Sequence, residues 1–309
     1  MNEQQRQHLR TLCPKVTWDA NMAAYSTFRA GGIVEALVEV SSEDESVALL
    51  PWLSQEQIPW QVIGGGSNIL VTTRRHPGVF IRPRGLVRDV VVAEQTATGD
   101  VPVLVQIPAG CSLAAFVGWC SKNSLDGLTF MAGIPGSVGG AVRMNAGAFG
   151  HSIGERIQLV RCVGASGEIC EIPRGTMNCS YRSTSWPGEK EGAMLITSVV
   201  LALQHGDREQ ISLRCRDIIS RRKQKQPQGF ASAGSFFKNP VGDFAGRLIE
   251  SAGLKGLVQG KAMVSPKHAN FIVNTGGALP EDIIVLMEKV RQTVLRQSGV
   301  LLEPEVRIL

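Results

Sequence analysis

The chain has 309 residues, a formal net charge of +5, 43% hydrophobic residues and 19% charged residues. This length and balance allow two or three packed cores and exclude a disordered, fibrous or membrane-embedded protein. Only 6% of the residues are aromatic, and basic and aromatic residues are not interleaved, which argues against nucleic-acid binding.

The first third of the chain predicts a small β-α-β unit. Its first ten residues are polar and charged, so no signal peptide is predicted and we expect a cytoplasmic protein. The mostly apolar residues 33–40 predict a strand, and residues 41–50 predict a helix with three acidic residues in its first turn. Residues 61–63 predict the next strand, which leads into a glycine-rich turn.

This glycine-rich turn consists of Gly64, Gly65, Gly66, Ser67 and Asn68. Where side chains are absent, main-chain N–H groups can approach a large ligand and bind its phosphates. A single glycine-rich turn is also a common structural hinge, so the motif has two interpretations when it is taken alone.

The middle third predicts an α+β arrangement around a second glycine cluster, residues 132–150. This cluster contains six glycines, four alanines and one proline, a composition that disfavours an ordinary amphipathic helix or strand. Two such clusters predict the two halves of a nucleotide-cofactor site. The dinucleotide fingerprint G-x-G-x-x-G is not matched, so a Rossmann fold is not favoured. The elements predicted around the cluster are a strand at 101–107, a helix at 113–123, and strands at 157–163, 168–172 and 195–203.

The last third predicts helices separated by short strands. Pro280 suits the first position of a helix, and Gly299 lies just past its end. Asp243 is predicted to cap a helix that stops at Gly253. The other elements predicted here are a basic helix at 211–224 and strands at 271–274 and 301–309.

The cysteines and histidines do not form a metal motif. The seven cysteines include no C-x-x-C pair, which disfavours a disulfide framework and a structural zinc site and predicts reduced, mostly buried thiols. The five histidines have none of the spacings of metal ligands, so we expect no metal centre.

Several separated segments closely resemble the UDP-N-acetylenolpyruvoylglucosamine reductase family, flavoenzymes of bacterial peptidoglycan precursor synthesis. The matching segments, in the family's order, are 64–70, 132–150, Tyr181 and Arg182, 233–240, 267–274 and 302–306. The resemblance implies an α+β fold, in which a two-subdomain FAD-binding module of the vanillyl-alcohol-oxidase (PCMH) type precedes a C-terminal α+β substrate-binding domain. The expected bounds are 20–90 and 91–205 for the two FAD-binding subdomains and 206–309 for the substrate-binding domain.

The resemblance also implies an oxidoreductase activity that serves cell wall biogenesis, cell shape and cell division. NADPH would reduce FAD, and hydride from flavin N5 to C3 with protonation at C2 would convert the enolpyruvyl ether of UDP-N-acetylglucosamine to UDP-N-acetylmuramate. No histidine or cysteine lies in the glycine motifs, so we expect non-covalent FAD. The implied cofactor-binding residues are Gly64, Gly65, Gly66, Ser67, Asn68, Ala132, Gly133, Ile134, Pro135, Gly136, Ser137, Gly139, Gly140, Ala141, Asn145, Ala146 and Gly147.

Three residues are implied to be catalytic. Arg182 would bind the substrate carboxylate through its planar guanidinium, and Ser235 would donate the proton to C2. Glu305 would assist enolate formation from the opposite side, as a protonated or proton-sharing group. The family motif assigns that role to Glu305 rather than to Glu303. Without the resemblance, a surface ion pair, a turn serine and a structural glutamate are the competing interpretations.

The predicted substrate contacts are Tyr181, Lys225, Asn239 and His268. The interval from Arg182 to Ser235 is too short for the additional tyrosine loop of some members, which predicts the shorter subclass. Two other functions stay open at this point: a different flavin dehydrogenase or oxidase on the same scaffold, and a non-catalytic nucleotide-binding module.

Overall fold

The computed structural model describes residues 1–72, 74–85, 87–92, 101–188 and 194–309. The α-helices within these residues are α1 Glu3–Leu12, α2 Glu43–Gln55, α3 Leu113–Lys122, α4 Val138–Arg143, α5 Arg208–Lys225, α6 Ala245–Ser251 and α7 Pro280–Ser298. The strands are β1 Val16–Asn21, β2 Ile33–Val40, β3 Trp60–Val62, β4 Ile69–Leu70, β5 Arg75–Pro83, β6 Val91–Val92, β7 Val103–Pro108, β8 Leu125–Asp126, β9 Gly147–Ala148, β10 His151–Ser152, β11 Ile157–Gly164, β12 Ile169–Pro173, β13 Asn178–Ser180, β14 Ser183–Ser185, β15 Met194–His205, β16 Ala231–Ser232, β17 Val258–Gln259, β18 Ala262–Val264, β19 Ile272–Asn274 and β20 Arg307–Ile308.

The helices and strands belong to two compact units. The first unit comprises Met1–Trp18, Glu35–Gly65 and Pro77–Ser220, and the second comprises Asp19–Val34, Gly66–His76 and Arg221–Leu309. Each unit is therefore assembled from three separate parts of the sequence. The division into three domains stays a prediction.

The first unit contains an antiparallel β-sheet with the strand order β12-β11-β15-β7-β6, in which β8 also pairs with β15. Phe116 of α3, Val105 and Val199 are fully buried in the core on this sheet. A second sheet has four strands in the order β1-β2-β5-β3, with β3 parallel to β5. The predicted β-α-β elements are present as β2, α2 and β3, but β5 lies between the two predicted strands.

The second unit contains the antiparallel sheet β16-β19-β18-β17 and the helices α6 and α7. The predicted helix that starts at Pro280 is confirmed, and Gly299 has a φ of 72° at its C-terminal cap. Its buried apolar side chains pack with Phe236 and Phe237 in one core. β4 pairs in parallel with β20, which joins residue 69 to residue 307.

Four predictions about elements are wrong in detail. Helix α2 continues past Pro51 to Gln55, because buried leucines on its inner face hold it in place. The N-cap of α6 is Phe244 rather than Asp243, whose carboxylate instead accepts the N–H of Phe244. The predicted strand at 301–309 is reduced to β20. The glycine cluster contains the helix α4, whose N-terminus is capped by Ser137.

Within the part of the chain that the structure describes, no helix is both long and apolar enough to cross a membrane.

Candidate active site

The two glycine clusters meet in the first unit. A Cβ added to Gly64 would lie 2.5 Å from Oγ of Ser137, and a Cβ added to Gly65 would lie 2.7 Å from Cα of Gly136. These separations are shorter than real Cβ contacts, so at Gly65 a side chain would force the main chain to move. The structure therefore brings the two predicted loops together at these residues.

The second glycine cluster is held in place by hydrogen bonds around α4. Oγ of Ser137 accepts the N–H of Gly140 at 3.3 Å. The N–H of Gly139 donates to the carbonyl of Ala109 at 2.8 Å, and a Cβ added to Gly139 would lie 2.8 Å from Cβ of Ala109. The cluster is thus a fixed segment of main chain that allows close approach.

The glycine clusters fit the pyrophosphate of FAD. Gly64, Gly65 and Gly136 are half-buried, and the first two lie so close to Ser137 and Gly136 that neither has room for a side chain. Neither cluster contains an aspartate or a glutamate that would repel an anion. Main-chain N–H groups in such a cradle favour phosphate oxygens.

Gly66, Ser67 and Asn68 belong to the second unit. Gly66 has a φ of 69°, and its carbonyl accepts the N–H of Thr27 at 3.0 Å. The side-chain Nδ2 of Asn68 donates to the main-chain carbonyl of Glu305 at 3.0 Å, and the carbonyl of Asn68 accepts the N–H of Arg307 at 3.0 Å. The amide of Asn68 is therefore bonded within the protein, next to a predicted catalytic residue.

The hairpin that carries Arg182 is attached to the end of the second glycine cluster. Asn145 is buried, and its amide donates to the carbonyl of Ser180 at 2.8 Å and accepts the N–H of Gly154 at 3.0 Å. Arg182 lies in the turn between β13 and β14 with a φ of 58°, and its Nη1 donates to the carbonyl of Gly147 at 3.3 Å. The predicted carboxylate-binding guanidinium thus lies against the glycine cluster in the first unit.

Ser235 and Glu305 lie in the second unit, on two paired segments. The N–H of Glu305 donates to the carbonyl of Phe236 at 2.8 Å, and Phe237 forms an antiparallel bridge with Pro304. The residue that follows Ser235 is therefore hydrogen-bonded to Glu305 itself. The structure brings these two predicted catalytic residues together, while Arg182 belongs to the other unit; the catalytic roles stay predictions.

The neighbouring acid, Glu303, has a different role. Its carboxylate forms an ion pair with Nζ of Lys238, and its carbonyl accepts the N–H of Lys238 at 2.9 Å. This pair closes the end of the same two segments. Glu303 therefore serves the pairing of the segments, and the catalytic role of Glu305 stays a prediction.

The four predicted substrate contacts have different surroundings. The ring of Tyr181 is 52% exposed, and its centroid lies 4.9 Å from the guanidinium carbon of Arg182. Lys225 is exposed at the end of α5. Oδ1 of Asn239 accepts the N–H of Ala245 at 3.1 Å, which caps the first turn of α6. This bond gives the Asn239 side chain a structural partner that its sequence motif did not indicate.

His268 is half-buried against Phe271, with ring centroids 4.9 Å apart. Burial lowers the pKa of His268 below its ordinary value. Its Nδ1 lies 3.3 Å from the main-chain N–H of Asn270, which donates to it. Burial and the hydrogen bond from Asn270 both favour the neutral imidazole, with Nδ1 as an acceptor.

Asn270 is a buried residue that the sequence prediction missed. Its Oδ1 accepts the N–H of Phe237 at 3.0 Å, and its Nδ2 donates to the carbonyl of Phe237 at 2.8 Å. The only available signal was its place in the segment 267–274, because a lone asparagine before a strand is more often a turn residue.

Comparison with family models divides the chain into two matched regions. Residues 34–173 match a model described as an FAD binding domain, and residues 226–309 match a model described as the C-terminal domain of UDP-N-acetylenolpyruvoylglucosamine reductase. Together with the mixed helix and strand content, these matches confirm the predicted α+β fold with an FAD-binding module and a distinct C-terminal domain.

Individual relatives are similar over nearly their whole length. A UDP-N-acetylenolpyruvoylglucosamine reductase of Lachnoclostridium phytofermentans is 38% identical over 96% of this chain and 93% of the relative. One from Alkalilimnicola ehrlichii is 40% identical over 93% of this chain and 92% of the relative. The crystal structure of the Thermus caldophilus reductase superposes with a TM-score of 0.76 at 31% identity, covering 95% of this chain and 98% of that chain.

Proposed function

The chain belongs to the UDP-N-acetylenolpyruvoylglucosamine reductase family, and we propose that it reduces the enolpyruvyl ether of UDP-N-acetylglucosamine to UDP-N-acetylmuramate. It is an oxidoreductase that uses FAD and NADPH, as the sequence predicts. The full-length similarity carries this assignment. The meeting of the two glycine clusters in the first unit supports it independently.

The FAD would be held without a covalent bond by the main chain of the glycine clusters. Gly64 and Gly65 let the two loops approach each other without side chains between them, and Ser137 caps the start of α4 beside them. Bound FAD would supply hydride transfer from NADPH to the enolpyruvyl double bond. The remaining cofactor contacts predicted from the sequence are part of the same proposal.

The chain's own residues supply charge and a proton. Arg182 would hold the substrate carboxylate through two parallel hydrogen bonds, which stabilises the negative charge that develops there. Ser235 would give the proton to C2, because a carbanion-like carbon is basic enough to take a proton from a positioned hydroxyl. Glu305 would assist from the other side as a protonated or proton-sharing acid.

Four side chains are proposed to bind the substrate or NADPH. Lys225 offers an exposed cation for a phosphate or carboxylate, and Tyr181 lies beside Arg182. Asn239 and His268 would add polar contacts. The chain is also proposed to be of the shorter subclass without the additional tyrosine loop.

The domain roles and the location belong to the same proposal. Residues 20–90 and 91–205 would bind FAD, and residues 206–309 would bind the substrate, which agrees with the regions that the two family models match. A cytoplasmic location is proposed because NADPH and UDP-sugars are made inside the cell.

An anaerobic titration tests the proposed reaction. NADPH should bleach the bound flavin, and UDP-N-acetylglucosamine enolpyruvate should then restore its colour with formation of UDP-N-acetylmuramate. UDP-N-acetylglucosamine, which lacks the enolpyruvyl group, is the matched control and should restore no colour. Bleaching without recovery on addition of the enolpyruvyl sugar would contradict the assignment.

A further inference from the structure

Asn270 is the residue on which the main chain next to Ser235 depends. Three hydrogen bonds connect it to Phe236 and Phe237: its carbonyl accepts the N–H of Phe236 at 2.7 Å, and its amide bonds both the N–H and the carbonyl of Phe237. The side chain thus makes the two hydrogen bonds to the main chain of Phe237 that a neighbouring strand would otherwise make. Asn270 is only 4% exposed, so a main-chain group that lost this partner would have no access to water.

Asn270 itself is held in a rigid turn. The N–H of Ser265 donates to the carbonyl of Phe271 at 2.8 Å, and the N–H of Phe271 donates to the carbonyl of His268 at 3.0 Å. The N–H of Asn270 donates to Nδ1 of His268. The amide of Asn270 therefore has a fixed position from which to orient the segment opposite.

The preceding residue gives Ser235 no support of this kind. Gly234 has a φ of 80°, and a Cβ added to it would have no atom within 4 Å. Glycine adopts this backbone conformation without strain. The hydrogen-bonded main chain of Phe236 and Phe237 follows Ser235 directly, and we take it as the part that orients the Ser235 hydroxyl.

The same segment also sets the position of Glu305. The carbonyl of Phe236 accepts the N–H of Glu305 at 2.8 Å, so Phe236 lies between Asn270 on one edge and Glu305 on the other. A shift of Phe236 would move Ser235 and Glu305 together. The pairing of Lys238 with Glu303 extends this arrangement by one step.

We propose that Asn270 is a positioning residue, which sets the places of the Ser235 hydroxyl and Glu305 through the main chain of Phe236 and Phe237. It touches neither substrate nor flavin in this proposal. The inference rests on the proposed roles of Ser235 and Glu305, and it predicts that Asn270 matters for protonation of the substrate and not for reduction of the flavin by NADPH.

The test compares two buried asparagines of the second unit. Asn270→Asp keeps the acceptor for the N–H of Phe237 and loses the donor to its carbonyl. Asn274→Asp is the matched control, because Asn274 is 5% exposed and its amide donates to the carbonyls of Phe28 and Arg29 rather than to the main chain of Phe236 or Phe237. Both variants bury a similar new charge, so a general loss of stability would affect both of them in the same way.

Rapid-mixing measurements separate the two half-reactions. Asn270→Asp should slow flavin reoxidation by the enolpyruvyl sugar about 10²-fold, the size expected for a displacement of about 1 Å at a reacting group. In Asn270→Asp, reduction of the flavin by NADPH should change less than about threefold, because this step does not use the Ser235 hydroxyl. Asn274→Asp should leave both half-reactions within about threefold of the parent protein, because its side chain does not bond Phe236 or Phe237. If Asn270→Asp slows both half-reactions equally, or if Asn274→Asp gives the same split, the proposal is wrong.

A double variant tests whether Asn270 acts through Ser235. In Ser235→Ala the hydroxyl is absent, so adding Asn270→Asp should cost little more than Ser235→Ala alone, whereas independent effects would multiply. Hydrogen–deuterium exchange of peptides covering 234–238 supplies a readout that needs no turnover: exchange should rise in Asn270→Asp and stay unchanged in Asn274→Asp.

The outcomes distinguish this inference from the proposed function. Unchanged reoxidation in Ser235→Ala would contradict the proton-donor role and, with it, the inference. Slow reoxidation in Ser235→Ala together with normal reoxidation in Asn270→Asp would overturn the inference alone. If Asn270→Asp does not fold, Asn270→Ser removes both side-chain bonds to Phe237 without burying a charge, and the same split is expected.

Discussion

At Gly65 a single missing methyl group decides whether two loops can meet. The position that a Cβ would occupy is 2.7 Å from Cα of Gly136, and the neighbour is main chain that cannot rotate away. Gly65→Ala should therefore weaken FAD binding at least about tenfold, which corresponds to about 1.4 kcal/mol. Fluorescence titration of the apoprotein with FAD measures this change.

Gly118→Ala is the matched control for that substitution. Gly118 lies in α3 and a Cβ added to it would have no atom within 4 Å, so alanine should leave FAD binding unchanged and raise the helix propensity there. Equal FAD affinity in Gly65→Ala and the parent protein would show that the loops can separate to admit a side chain.

The proposed catalytic residues illustrate how far a sequence can be interpreted one residue at a time. Ser235, Arg182 and Glu305 are common residue types in common settings, and only their joint occurrence in family motifs indicates chemistry. Asn270 could not be predicted in this way, because its importance lies in a hydrogen-bonded partner 33 positions away. Asn68 was predicted for FAD, yet its amide is bonded to Glu305 across 237 positions.

Among the elements, α2 is connected to the sheet of the first unit by half-buried charged side chains. Glu43 at its N-terminus accepts Nε and Nη2 of Arg161 at 2.8 and 2.9 Å and the hydroxyl of Thr197 at 2.9 Å. These bonds link α2 to β11 and β15. The hydrogen bond from Arg161, opposed by burial and aided by Thr197, lowers the pKa of Glu43.

This lowered pKa predicts how stability depends on pH. A carboxyl whose pKa is lower in the folded state stabilises the fold above its unfolded pKa and loses that contribution as the pH falls through its folded pKa. Glu43→Gln should reduce the free energy of unfolding by about 1 kcal/mol at pH 7, with a difference that shrinks below about pH 4. Chemical unfolding of the parent protein and of Glu43→Gln, at pH 7 and below about pH 4, measures this difference in the free energy of unfolding.

Glu171→Gln is the comparison for the same network. Glu171 bonds the outer Nη1 of Arg161 at 2.7 Å but is more exposed than Glu43, so its loss should cost less. A Glu43→Gln deficit that stayed constant down to pH 3 would mean that the charge of Glu43 is not what connects α2 to the sheet.

The elements differ in how well local sequence predicts them. Helix α7 begins and ends where Pro280 and Gly299 indicate, because both signals act on the backbone directly. Helix α4 was not predicted, since its glycines argue against a helix while the Ser137 cap and the buried Val138 and Val142 outweigh them. Strand β20 pairs with β4 over a long separation that no local pattern reveals.

For the whole molecule, FAD should act as a stabilising ligand. Because binding to the folded state alone shifts the unfolding equilibrium, FAD at 100 times its dissociation constant should add about 2.7 kcal/mol. Removing FAD should lower the melting temperature, and adding it back should raise that temperature with the logarithm of the FAD concentration. Calorimetry of the apoprotein with increasing FAD measures this shift, and a melting temperature independent of FAD would contradict the proposed cradle.

The parallel pairing of β4 with β20 has a consequence for biosynthesis. Ribosomes make proteins from the amino end, so the segment after the first glycine turn waits, unpaired, until residues 307 and 308 have left the exit tunnel. A nascent chain therefore cannot complete the surroundings of Asn68 before residues 307 and 308 are made. The direction of synthesis thus delays the pairing of the segment that follows the first glycine turn.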